Sequence, residues 1–98
     1  MAAYVISEVE VRNQAAMEAY RALAAQTIDR YGGRYLARGG ATKLVEGGPP
    51  AKTIIRVEFP SMARAREWYQ SPEYAEALKL RQTALERRLL FVEGVVQV

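Results

Sequence analysis

The amino-acid sequence predicts an α+β domain: one four-stranded antiparallel sheet with its helices on a single face. The first observation behind this is the order strand, helix, strand, strand, helix, strand, read from switches in hydrophobic period between two and 3.6, which is the split βαβ plan. A second is punctuation, because glycine pairs, prolines and cap-forming side chains stand where the period changes. A third is size. Ninety-eight residues, half of them hydrophobic and 26% charged, suit one domain spanning 1–98 without a linker or low-complexity tract.

Residues 4–11 alternate, with Val5, Ser7, Val9 and Val11 on a core face and Tyr4, Ile6, Glu8 and Glu10 on the other. Asn13 is placed to cap a helix running to about residue 31, whose apolar stripe is Met17, Tyr20, Ala24, Ile28 and Tyr31. Gly32 and Gly33 end it. A second strand over 34–38 meets Gly39 and Gly40, which predict a bulge or a close backbone approach before pairing resumes through 41–46. Gly47, Gly48, Pro49 and Pro50 form the turn into a third strand, 53–59, with Ile55, Val57 and Phe59 facing inward.

Pro60 stops that strand, and Ser61 caps a short helix carrying Met62, Ala65, Trp68 and Tyr69. Ser71 then restarts the pattern as a second cap, since Pro72 at the first helical position lacks only an amide hydrogen that would have no partner. This longer helix is predicted to reach about residue 87. Glu73 and Glu76 near its start, and Arg87 and Arg88 at its end, would suit the helix dipole. A last strand covers 89–95, with Leu90 and Val92 opposite Leu89, Phe91 and Glu93.

The chain has no cysteine and no histidine, which removes disulfides, thiol nucleophiles, histidine bases and most zinc or haem ligation, so neither metal nor cofactor is expected. Net charge is +3 and the isoelectric point about 9.4, but basic residues are scattered among acids. Nucleic acid is not an expected partner, because the third strand, KTIIRVEF, lacks the glycine and paired aromatics that stack bases. After the first strand, VEVRNQAAM offers no anion-cradling glycine loop. The longest run of large apolar residues, 89–92, is far short of the roughly 20 needed to span a bilayer. No membrane partner is expected, and the opening residues lack a secretory pattern, so the cytoplasm is the expected location.

One face of the sheet remains to be covered. On the first and third strands, neighbours in this plan, the second face is expected to gather Tyr4, Ile6 and Ile54 at one end and Glu8, Glu10, Arg56 and Glu58 at the other. A face part apolar and part charged suits an isologous contact, so a homodimer through the sheet is expected.

The blocks YVISEVEV, YGGRYLARGG and VEFPSMARAREWYQSPEYAEALKLR resemble a small bacterial family catalogued as domain of unknown function 1330, over nearly the whole chain. The resemblance implies a ferredoxin-like subunit pairing sheet to sheet as a dimeric α/β barrel. It implies no activity. Proteins sharing that architecture include cofactor-independent monooxygenases, muconolactone isomerase-like proteins, stress-induced dimers and haem-degrading enzymes, and fold alone does not choose among them.

Candidate site residues come from the residues themselves. Trp68, Tyr69 and Tyr74 crowd the break between the two later helices, where they can stack on an aromatic ligand in a helix–sheet cleft or simply pack the core. Tyr35 and Arg38 lie just before the double glycine, whose bare backbone admits a ligand or a partner chain. Arg81 falls on the stripe of Tyr74, Leu78 and Leu85, so its guanidinium either anchors an acidic ligand beside the aromatic elbow or snorkels to water. Two functions follow. One is a homodimer that binds a small acidic or aromatic metabolite; the other is a cofactor-independent oxygenase or isomerase acting on a small aromatic or carbonyl-containing acid. Without histidine or cysteine, acid–base work would fall to tyrosine or carboxylate groups, which favours binding.

Overall fold

A computed structural model describes residues 1–50 and 52–95. Its elements are β1 (Ala3–Val11), α1 (Gln14–Arg30), β2 (Arg34–Arg38), β3 (Thr53–Phe59), α2 (Met62–Gln70), α3 (Pro72–Ala84) and β4 (Leu85–Glu93). The four strands form one antiparallel sheet in the order β2-β3-β1-β4, with the helices on one face. Val5, Val9, Val57 and Phe59 point from the sheet into the core, where they meet Met17, Ile28, Ala65, Trp68 and Tyr74 from the helices. The inward face of β1 matches its alternation, except that Val11 at its end is exposed.

Local chemistry explains the helix boundaries. Asn13 Oδ1 accepts from the Ala16 amide at 2.9 Å, and Ser61 Oγ accepts from that of Arg64 at 3.1 Å. Ser71 joins two helices: its hydroxyl donates to Trp68 O at 2.8 Å, closing α2, and accepts from the Tyr74 amide at 3.0 Å, opening α3. Gly32 takes a left-handed φ of +83° to close α1. Gly33 is needed for a different reason, since a Cβ there would stand 2.8 Å from both Ile28 and Phe59.

Three expectations need correction. The helix expected to reach about residue 87 ends at Ala84, and β4 starts at Leu85, so Arg87 and Arg88 are strand residues. Pairing with β1 decides this: Val11, Glu10 and Val9 lie opposite Leu85, Glu86 and Arg87, and the Arg12 and Asn13 amides both donate to Ala84 O. Arg12 also forms an ion pair with Glu86. The strand expected to resume over 41–46 is absent, because Gly39, at φ +72°, donates its amide to Ile54 O and then turns the chain into an exposed loop. The sheet irregularity falls at Leu36 instead of the double glycine.

The outer face also differs from the expected division. Tyr4 lies opposite Glu58, Ile6 opposite Arg56 and Glu8 opposite Ile54, so apolar and charged side chains mix across β1 and β3. The apolar patch forms on the other side of β1, where Tyr4 pairs with Val92 and Ile6 with Leu90. Leu90 and Val92 are both more than two-fifths exposed.

Candidate functional site

The helices cover the sheet unevenly. α1 packs mainly along α3, while α2 and the end of α3 approach the strands. Between α1 and the exposed half of the inner sheet face lies a narrow cavity of about 40 Å³. A single water needs about 10–15 Å³, so the enclosed part holds about three, and a longer molecule would also occupy the mouth beside the exposed Arg21 and Arg38. Val9, Met17, Ile28, Val57, Trp68 and Leu89 supply apolar walls. The polar groups that reach it are Ser7, Tyr20, Arg21, Tyr35, Arg38 and Arg87.

The bulge at Leu36 aims two of these. Strand period two would send Tyr35 and Arg38 to opposite faces, but the extra residue sets Tyr35 across from Val57 and Arg38 across from Ile55, both inward positions. The Arg38 guanidinium lies 4.5 Å from the centre of the Tyr35 ring. Burial raises the Tyr35 pKa, the nearby Tyr20 adds to this, and Arg38 opposes it without prevailing.

At the opposite edge, Arg87 projects inward from β4. Its Nη1 donates to Tyr20 Oη at 2.7 Å and its Nη2 to Tyr74 Oη at 2.9 Å, while the two hydroxyl oxygens lie 2.5 Å apart. Two tyrosines bring two hydroxyl hydrogens, and only one can lie between the oxygens. Tyr74 is fully buried and does not line the cavity, so it donates to Tyr20. The Tyr20 hydroxyl, which does line it, keeps its hydrogen for an acceptor in the cavity. Arg87 makes no ion pair among the described residues. Burial works against its charge, but the two tyrosine oxygens outweigh that and hold its pKa above the usual arginine value.

Burial, followed by the adjacent Tyr20 hydroxyl, pushes the Tyr74 pKa far above the ordinary 10.0, although Arg87 pulls the other way. The folded state therefore holds this proton where the unfolded chain releases it. A pKa raised on folding contributes stability that is complete below about 10 and declines as pH climbs above it. Unfolding free energy should fall above pH 10 by up to about 1.4 kcal/mol per unit for this group. Urea unfolding of wild type and Tyr74→Phe from pH 9 to 11 checks this, and parallel declines would refute the assignment.

The sequence-predicted residues divide three ways. Tyr35, Arg38 and Trp68 line one cavity, and Tyr74 stands directly behind Arg87. Tyr69 stays at the surface, 38% exposed, with its ring edge against Phe91. Arg81 shares no cavity with Trp68 or Tyr69; it borders an open basic depression with Arg12, Lys52, Arg88 and Arg87, the last of which also lines the cavity. Trp68 is held by packing, 4.2 Å from Tyr74 and 5.3 Å from Phe59 between ring centres, and its Nε1 donates to Thr27 Oγ1 at 3.0 Å. Sequence reasoning missed Tyr20, Arg21, Ser7 and Arg87. Tyr20 carried a signal, because a tyrosine on a core stripe needs a buried partner for its hydroxyl. Among the described residues, no group of three or more carboxylates stands together as a metal site. No helix of the described residues is long and apolar enough to cross a membrane.

Comparison with known proteins agrees with the fold. The family model described as "Domain of unknown function (DUF1330)" matches residues 2–95, so the chain belongs to that family. A protein of unknown function from Rhodopseudomonas palustris, RPA0582, superposes with a TM-score of 0.78 at 23% identity, over 98% of this chain and 84% of that one. SnoaB, a cofactor-independent oxygenase from Streptomyces nogalater, gives 0.67 at 10% identity, over 99% and 96%. A dimeric protein of unknown function and ferredoxin-like fold from Bacteroides fragilis gives 0.63 at 13% identity, over 95% and 96%. At these identities the likeness shows the ferredoxin-like fold alone. No curated protein matches the chain.

Proposed function

We propose that this DUF1330 chain is a homodimeric protein that binds a small organic acid in the cavity between α1 and the sheet, with Arg87 as the anchor. One observation carries the reading: Arg87 lines a cavity that holds no carboxylate, and its guanidinium is fixed there by two tyrosine hydroxyls without an ion-pair partner among the described residues. Taking a cation out of water is unfavourable by several kcal/mol, and an anion at the guanidinium and the Tyr20 hydroxyl would offset that. Of the site residues expected from sequence, Tyr35, Arg38 and Trp68 would contact such a ligand, Tyr74 would hold the anchor in place, and Tyr69 would support the elbow from outside. Arg81 would act only at the neighbouring basic depression. Isothermal titration of the protein with valerate at pH 7 should show saturable binding; its absence would remove the reading.

Binding without turnover is better supported than an oxygenase or isomerase. The residues lining the cavity include no carboxylate, and burial keeps Tyr35 protonated, so none of them is a base that takes a proton near neutrality. The homodimer reading rests on the outer patch of Tyr4, Ile6, Leu90 and Val92, bordered by Glu8, Arg56 and Arg88, which is the composition of a self-complementary contact. The dimeric Bacteroides fragilis neighbour supports it by analogy of fold. Light scattering at micromolar concentration should give twice the chain mass, and Leu90→Glu should return it to monomer. A wild type that scatters as a monomer refutes the dimer.

A further inference from the structure

The cavity has two cationic poles. Arg87 projects from β4 at one edge of the sheet and Arg38 from β2 at the other, with β3 and β1 between them. Three strand spacings put their backbones roughly 14 Å apart, and both long side chains reach inward across that span. Consecutive residues of α1 face the cavity, and Tyr20 lies near both Arg87 and Tyr35. Tyr20 bonds to Arg87, whereas Arg21 stands close enough to the Tyr35 hydroxyl to act on it together with Arg38. Arg21 and Arg38 are exposed and therefore mark the mouth, while Tyr20 and Arg87 lie deeper.

The charge count is one-sided. Three guanidinium groups line this cavity, and no aspartate or glutamate does. None of the three takes part in an ion pair among the described residues. Between the poles the walls are mainly apolar, Trp68 among them, with the buried Ser7 on the central strand. A ligand with one anionic end would answer the deep pole and leave the mouth arginines facing an apolar chain.

We infer that the cavity takes a small dianion, a short apolar chain or ring with an acidic oxygen at each end, one held by Arg87 and Tyr20 and the other by Arg38 and Arg21. This rests on the reading of Arg87 as an acid anchor and adds the second pole to it. The narrowness of the cavity limits the spacer to a few carbons, which makes glutarate and valerate, of equal carbon number, a matched pair of probes.

Isothermal titration at pH 7 should show glutarate binding about tenfold or more tightly than valerate, the increment of one charge-assisted contact of about 1.4 kcal/mol. In the double variant Arg21→Gln, Arg38→Gln, that preference should disappear, the two acids then binding about equally, while a urea midpoint close to that of wild type reports that the variant is folded. Equal affinities of wild type for the two acids would overturn the second pole and leave the anchor standing. A folded double variant that keeps its preference for glutarate would equally overturn it. If neither acid binds wild type, both readings fall together.

Discussion

Replacing Arg87 by methionine should weaken binding of a small carboxylate by about thirty- to a hundredfold, equivalent to about 2–3 kcal/mol for a charge-assisted contact in a partly desolvated site. Two effects on stability oppose each other. The substitution strips one donor from each of Tyr20 Oη and Tyr74 Oη, but it also relieves the fold of a half-buried cation that no carboxylate balances. Exchanging buried charge for apolar volume is often neutral or stabilising, and the bond between the two tyrosines survives it. The urea midpoint should therefore move little. Titration with valerate separates the outcomes: unchanged affinity would refute the anchor, and unfolding at ordinary temperature would show that Arg87 is needed chiefly for structure. Arg81→Met is the matched comparison and should leave valerate affinity unchanged, since Arg81 does not line the cavity and meets Arg87 only at the open depression on its other side.

What the sequence made legible is what local chemistry decides. Ser61, Ser71 and Asn13 cap the helices expected of them because each cap needs only a side-chain oxygen three residues from a free amide. Alternation likewise gave the correct inward faces for β1 and β3, because core burial and strand period coincide there. Tyr35, Arg38 and Trp68, chosen by residue type near a glycine pair and a helix break, line one cavity, although the sheet irregularity that turns Tyr35 and Arg38 inward lies at Leu36, which has no compositional mark. Arg87 was illegible for a different reason. The stretch TALERRLL contains no glycine or proline and suits either a helix or a strand, so its state is settled by nine residues of β1 seeking partners on their free side. A helix carried through to Arg87 placed that guanidinium at a solvent-facing terminus; the strand turns it into the cavity. The outer patch was obscured similarly, because its apolar half depends on the register between β1 and β4, which no single strand encodes.

Trp68→Ala should produce the largest loss of stability of any single change at the aromatic elbow, about 3–5 kcal/mol for truncating a buried aromatic. Trp68 is only 2% exposed, stacks between Tyr74 and Phe59, and ties α2 to α1 through Thr27. Thr27 already donates its hydroxyl hydrogen to Ala24 O at 2.8 Å, so the indole N–H is the donor that satisfies its oxygen. Truncation opens a void beside the cavity and also leaves that oxygen unpaired. Against a typical domain stability of about 5–15 kcal/mol, this is about a fifth of the total or more. Trp68→Phe keeps most of the ring contact and loses mainly the hydrogen bond, for which about 1–2 kcal/mol is expected. Tyr69→Ala, at the exposed side of the same cluster, should cost less than Trp68→Ala by at least about 2 kcal/mol. Urea unfolding of the three variants at neutral pH tests the ranking. A Tyr69 variant as unstable as the Trp68 one would mean that the elbow is held from its surface side, and Trp68 would then return as a residue kept for the ligand more than for the fold.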